Sequence, residues 1–264
     1  MSTEKAKPST SVSAKRSAKQ RREAERRRRQ QQQQTLLIIG AVAVVGVVLI
    51  AILVSGRPVE AVIPAGAGEA YVDIPAEYFG QTEDGFYFIG APDAPVVIED
   101  FSSFSCSACR SYHSSYFRPI LDKIRNGDVR FVYIPLTTFG SFESSNMSRA
   151  AICAGDQGQF WQMSDVLFDW QGRYGINAND PRRLSAAAEQ LGLDVARFDS
   201  CFGSAETTAI LDRASSARAA RNVDSTPSVF LDGARIYPQT DDGGNGPTLA
   251  ELRGIIESRV RQEG

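Results

Sequence analysis

Twenty consecutive residues, Thr35–Val54 (TLLIIGAVAVVGVVLIAILV), carry no charge, and this run divides the chain into parts that obey different rules. As a helix rising about 1.5 Å per residue, it covers the roughly 30 Å hydrocarbon layer of a bilayer. No face of it is polar, which argues against a helix half-buried in a soluble core. A cleaved secretory leader normally has a shorter apolar stretch, about 7–15 residues, behind a short basic front. Here 34 residues precede the run, although Ala65-Gly-Ala67 passes as a weak cleavage site. The expectation is a single transmembrane helix over 35–54.

Charge gives this helix a direction. The formal net charge is −2, yet residues 1–34 hold 11 of the 29 Lys/Arg and only 3 of the 31 Asp/Glu. That is a local +8 against −10 for the remainder. A basic arm also suits nucleic acid, but Arg21, Arg22 and Arg26–Arg29 lie immediately before the apolar run. Cationic flanks of this kind stay cytoplasmic. Residues 1–34, with the Gln30–Gln34 tract, are therefore expected to form a disordered or loosely helical cytoplasmic tail, with no nucleic-acid partner. Everything after Gly56 is expected outside the membrane. Residues 55–80, with Pro58, Pro64, Gly66, Gly68 and Pro75, suit a linker that holds a domain off the bilayer.

The folded part is expected to start near Phe86, within a domain over 81–264. The apolar run Pro95–Phe101 follows a Pro-rich turn and reads as a buried strand. Ser102–Ala108 leads into a helix reaching about Arg118, stopped near Pro119, with helix resuming over Leu121–Arg125. Val129–Pro135 (VRFVYIP) reads as a second strand. Ser144–Asn222 is helical by pattern, with Phe160, Met163, Leu167 and Trp170 at helical spacing and Phe160, Trp161 and Trp170 most simply core. Ser228–Leu231 and Ala234–Tyr237 flank Asp232-Gly233, a strong hairpin signal, and Thr248–Val260 closes as an amphipathic helix. The order strand, helix, strand, helical block, hairpin, helix implies an α/β sheet covered by helices, with a helical insertion at about 140–222.

Four cysteines carry the chemistry: Cys106, Cys109, Cys153 and Cys201. Outside the cytoplasm thiols tend to pair; three pairings are possible, and spacing favours 106 with 109 and 153 with 201. Cys106-Ser-Ala-Cys109 follows a strand and opens a helix. A thiol at a helix N-terminus meets unsatisfied N–H groups and the positive end of the helix dipole, both of which favour thiolate. Cys106 is thus expected to be an exposed nucleophile, and Cys109, one turn inside, the resolving thiol. The competing readings are a zinc knuckle and a structural staple. Zinc needs two further ligands, and the chain offers no second CxxC and a single histidine, His113. A bridge across so short a loop constrains the unfolded chain little. No metal or cofactor is expected; the acidic stretch Asp241–Asn245 lacks the ligand spacing of an EF-hand and is only a weak calcium candidate.

Asp100-Phe-Ser-Ser-Phe-Ser-Cys106-Ser-Ala-Cys109-Arg-Ser-Tyr-His113 resembles the strand–CxxC–helix segment of the DsbA-like branch of the thioredoxin superfamily. Gln157-Gly-Gln-Phe-Trp161 through Leu167-Phe168, and Ser225-Thr-Pro-Ser-Val-Phe-Leu-Asp-Gly233, extend the resemblance in order across about residues 86–260. It implies a thioredoxin-like fold and three site assignments. Asp100 falls where the family places a buried acid beneath the active site; a desolvated carboxylate has a raised pKa and exchanges a proton with Cys109. The alternative is a water-exposed Asp at a strand end. Thr226-Pro227 matches the loop whose proline is cis in relatives and faces the disulfide, leaving Thr226 to pair with an extended substrate; an ordinary trans turn is the alternative. Strongly oxidising relatives carry a histidine between the cysteines, where this chain has Ala108. His113, one turn beyond Cys109, reads as a packing residue.

Cys153 and Cys201, 48 residues apart, are expected to form a structural disulfide. The function implied is extracytoplasmic dithiol oxidation: the Cys106–Cys109 disulfide accepts electrons from thiols of secreted or membrane proteins through a mixed disulfide on Cys106. A quinone-linked membrane thiol oxidase is the expected reoxidant. The same site with the opposite poise gives a reductase or isomerase, and a non-enzymatic metal-binding or chaperone-like module is the reading from another class.

Overall fold

A computed structural model describes residues 10–55, 59–238 and 244–263. The chain divides into two units, Met1–Pro58 and Val59–Gly264. In the first, helix α1 runs unbroken over Thr10–Ser55. Its described stretch Arg26–Leu49 is long and apolar enough to cross a membrane, with a mean hydropathy of 1.8. The expected tail and span are therefore one helix from Thr10 onward; residues 1–9 lie outside the described residues.

The second unit is built on a six-stranded sheet of order β1-β2-β4-β3-β5-β6. Its strands are β1 (Phe79–Gln81), β2 (Tyr87–Ile89), β3 (Val96–Ser102), β4 (Val129–Pro135), β5 (Ser228–Leu231) and β6 (Ala234–Tyr237). β3 and β4 pair in parallel at the centre, and the other pairs are antiparallel. A parallel pair needs a crossover, supplied here by the segment between Cys106 and Asp128. β3 is buried along the face of Val96, Ile98, Asp100 and Ser102, with Val97 and Glu99 half-buried on the other. The β5–β6 turn places Asp232 at φ 49° and Gly233 at φ 85°, the left-handed pair that a tight hairpin requires.

The crossover is not the single helix expected up to Arg118. Helix α2 covers Ser107–Tyr112, widens into a π turn over His113–Phe117 and tightens into a 3-10 turn over Arg118–Ile120. Helix α3 follows over Leu121–Arg125. Pro119 has no N–H to donate and its ring crowds the preceding turn; the change of helical pitch carries the chain past it instead of ending it. The helical block comprises α4 (Ser145–Gly155), α5 (Phe160–Tyr174), α6 (Pro181–Gln190), α7 (Val195–Phe202) and α8 (Ala205–Ala220), and α9 (Leu249–Glu263) packs on β3. Phe160, Trp161, Met163, Leu167 and Trp170 of α5 are buried, with Trp161 stacked on Phe117 at 5.0 Å.

The spacer expected over 55–80, and a folded start near Phe86, do not match the packing. From Val59 the chain belongs to the folded unit. Trp170 Nε1 donates to the Val62 carbonyl at 2.7 Å and Gln190 Nε2 to that of Ala61 at 2.6 Å. Tyr71 and Ile74 are buried in the core. The glycines and prolines let this segment turn repeatedly, but a few large apolar side chains anchor it; composition alone averages those anchors away.

Candidate active site

The end of β3 delivers the reactive turn. Ser102 and Ser103 are buried, and the Ser103 carbonyl accepts from the Cys106 N–H at 3.1 Å. Cys106 is the N-cap of α2, with extended backbone (φ −94°, ψ 118°). Its sulfur accepts a hydrogen bond from the Cys109 N–H at 3.3 Å, the position a capping oxygen ordinarily takes. The turn is backed by the 137–144 loop: Ser141 N–H donates to the Ser105 carbonyl at 3.1 Å, and Ser105 Oγ to the Phe139 carbonyl at 3.0 Å. Gly140 sits at φ 128° in this contact, and a Cβ there would overlap the Ser105 backbone.

Cys106 and Cys109 are unbridged thiols. Cys106 is only 8% exposed and Cys109 1%. Cys106, expected to stand exposed, is instead largely covered. The reason is the opposite loop, where Thr226–Pro227 is a cis peptide and the Thr226 carbonyl oxygen lies 3.3 Å from Cys106 Sγ. Pro227 is buried and Thr226 half-buried. The hydrogen bond from the Cys109 thiol pulls the Cys106 pKa down to about 5, against the opposing effect of burial. Thr226 and the N–H groups of Cys109 and Ala108 add to the lowering. Burial pushes Cys109 in the other direction, helped by its bond to Cys106 and by the nearby Asp100 carboxylate. The outer sulfur is thus held as thiolate and the inner one as thiol.

Asp100 lies beneath them, 4% exposed, so it is not a solvent-facing strand-end residue. Burial raises its pKa to about 8, with the Cys106 charge adding to the rise and the Ser102 hydroxyl opposing it. His113 is buried between Phe117 and Phe168, each at 4.8 Å, and its Nε2 lies 3.0 Å from Asp165 Oδ1. Asp165 also accepts from Tyr71 OH at 2.9 Å and Arg118 Nη2 at 2.6 Å. Burial works against ionisation of Asp165, but His113 and Arg118 hold its carboxyl below the usual range. This network ties the Gly68–Tyr71 segment and α5 to the π turn behind the cysteines. Reading the sequence did not single out Asp165, because an acid within an amphipathic helix looks like part of its wet face.

Cys153 and Cys201 form a disulfide, with Cα atoms 5.6 Å apart, joining α4 to α7. Cys153 is buried and Cys201 half-buried, with the Asp156 carboxylate 3.4 Å from the Cys201 sulfur. Asp241, a weak calcium candidate, lies outside the described residues, as do Asp242 and Gly243.

A thioredoxin family model matches residues 82–257. Among curated relatives, the chain is 31% identical over 156 residues to the Na(+)/H(+) antiporter NhaA 1 of Salinispora arenicola, covering 55% of this chain and 21% of that one. The chain thus spans about a fifth of that relative's length. It is 30% identical over 87 residues to disulfide bond formation protein D of Bacillus subtilis, covering 31% of this chain and 38% of that one. The crystal structure of oxidised BdbD from Bacillus subtilis superposes with a TM-score of 0.57 at 21% identity, covering 69% of this chain and 97% of that one. With a family match across most of the domain and the CxxC turn facing the Thr226–Pro227 loop, the chain belongs to the thioredoxin family, with the DsbA-like fold expected from its sequence.

Proposed function

We propose that this protein is an extracytoplasmic thiol–disulfide oxidoreductase working as a dithiol oxidase, with α1 as its membrane anchor and the basic tail on the cytoplasmic side. The observation that carries the reading is the Cys106 sulfur capping the first turn of α2, where it accepts from the Cys109 N–H at 3.3 Å, a position that favours its thiolate over that of Cys109. A low-pKa Cys106 is a good leaving group and stabilises the reduced state, which makes the disulfide a better oxidant. In the reaction, a substrate thiolate attacks Cys106 Sγ of the Cys106–Cys109 disulfide and Cys109 leaves, taking up a proton. A second substrate thiolate then attacks the substrate sulfur of the mixed disulfide, expels Cys106 as thiolate and releases oxidised substrate. Thr226, facing Cys106, pairs with the extended substrate backbone. The name of the Bacillus subtilis relative, disulfide bond formation protein D, supports this direction. Thiols of secreted or membrane proteins are the substrates, and a quinone-linked membrane thiol oxidase restores the disulfide.

Ala108 favours a second reading. With no histidine between the cysteines, nothing cationic supports the thiolate from that position, and a reductase or isomerase needs a less oxidising site. Equilibration of the full chain with glutathione separates the two. A potential near the roughly −120 mV of strong oxidants supports oxidation, whereas one near the roughly −270 mV of thioredoxin overturns it.

A further inference from the structure

β3 and β4 are in parallel register with Asp100 opposite Tyr133. Asp100 and Ser102, two residues apart on one strand, point to the same face. The Ser103 N–H at the strand end donates to Cys109 Sγ at 3.5 Å, which sets the inner sulfur beside Ser102. Ser102 is fully buried. Four oxygens here are buried with no hydrogen-bond partner among the described residues: Asp100 Oδ1, Ser102 Oγ, Tyr112 OH and Tyr133 OH. Native interiors seldom leave one polar group unpaired, and each costs free energy unless something uses it. Three hydroxyls around one thiol and one carboxyl form a polar chamber under the active site.

Within it Ser102 is the middle member. Its hydroxyl is close enough to oppose the effect of burial on Asp100, Cys109 and Tyr133 alike, yet it is committed to none of them. A serine hydroxyl donates and accepts at once and rotates freely; Asp100 and Cys109 supply an acid and a base on either side.

We propose that the Ser102 hydroxyl relays the proton between Asp100 and Cys109. The inference rests on the thiol–disulfide exchange proposed above. When substrate thiolate attacks Cys106 Sγ, the Cys106–Cys109 bond breaks and its electron pair leaves on Cys109. Ser102 gives its proton to that sulfur and takes one from the Asp100 carboxyl. The products are the Cys106 mixed disulfide, neutral Cys109 and Asp100 carboxylate, and the reverse transfer operates when the disulfide re-forms. The other titratable groups facing the pair are Cys106 and Tyr112 from α2, Tyr133 from β4 and Tyr237 from β6. α9 presents the buried, non-titrating Leu252 and Ile256. The chamber holds a single carboxyl and no cation among the residues that act on it.

The test is the reduction of the oxidised full chain by excess dithiothreitol between pH 6 and 10, quenched with a thiol trap, with each rate divided by the thiolate concentration of the reagent. In the native protein this corrected rate should fall on the alkaline side, as the Asp100 carboxyl, which burial keeps protonated, loses its proton. Ser102→Ala should lower the rate at pH 7 by roughly tenfold or more, as expected for loss of a positioned proton donor, and should lose the fall. Ser102→Thr, which keeps a hydroxyl, should retain both. A Ser102→Ala protein matching the native rate and profile would overturn the relay while leaving the exchange reading intact. Native protein that dithiothreitol cannot reduce would overturn both. Should the alanine variant not fold, the native protein still decides: two protons in flight give a curved dependence of rate on deuterium fraction, and a straight line refutes the relay.

Discussion

Removing the Cys109 thiol tests the electrostatics of the pair, because that thiol is the foremost support of the Cys106 thiolate. Cys106 moves from an ordinary 9.0 to about 5 in the folded protein. A depressed acid contributes stability that is complete above its unfolded pKa and is lost as pH falls through its folded one. At pH 7 the folded group is almost wholly ionised and the unfolded one almost wholly protonated, so the contribution is at most about 3 kcal/mol. The disulfide form has no thiolate to stabilise. The same quantity therefore favours the reduced state and makes the couple more oxidising by roughly 60 mV. The assay is the rate of carboxamidomethylation of Cys106 in the reduced full chain from pH 4 to 9, followed by mass. The native rate should be half-maximal near pH 5 and flat from 6.5 upward. Cys109→Ala should move the midpoint up by one unit or more, and so lose about half or more of the pH 7 stabilisation. A native rate that climbs about tenfold per pH unit from 6 to 8, as an unperturbed thiol would, refutes the argument.

Replacing both Cys153 and Cys201 with alanine should cost at most about 4 kcal/mol, the closure entropy of a 48-residue loop, read as a lower denaturation midpoint with dithiol exchange retained. Asp165→Asn should cost about 3 kcal/mol or more, since Arg118 and His113 lose a buried anionic partner. The native protein should show the same loss in its thermal midpoint only as pH drops below about 4, because Asp165 is a depressed acid whose stabilisation is present above that range. Gly140→Ala should push the 137–144 loop off Ser105 and raise the reactivity of Cys106 toward bulky thiol reagents, checked by comparing large and small alkylating agents.

The parts of the fold legible in the sequence were those with their own local period. β4, β5 and β6 begin and end where apolar runs meet turn residues, and α5 follows its buried stripe. β1 and β2, three residues each, are too short to carry a period. The positions of Cys106 and Cys109 at a strand-to-helix turn were legible for the same local reason. The burial of Cys106 was not, since it depends on a loop 120 residues away. Ser102 and Tyr133 escaped notice because serine and tyrosine in a strand are unremarkable until both neighbours of each hydroxyl are known. The π turn has no sequence signature beyond Pro119.

The antiparallel partner of β3 is β5, and the helical block lies between them in the chain. A polypeptide emerging from its N-terminus exposes Cys106 and Cys109 first, then Cys153, then Cys201, and only afterwards β5 and the Thr226 carbonyl that lies over Cys106. For more than a hundred residues of growth Cys106 lacks the carbonyl that covers it, while Cys153 waits for Cys201. The order of emergence thus leaves the newborn chain open to a mispaired 106–153 bridge, and a thiol able to undo that bridge would matter most during that interval.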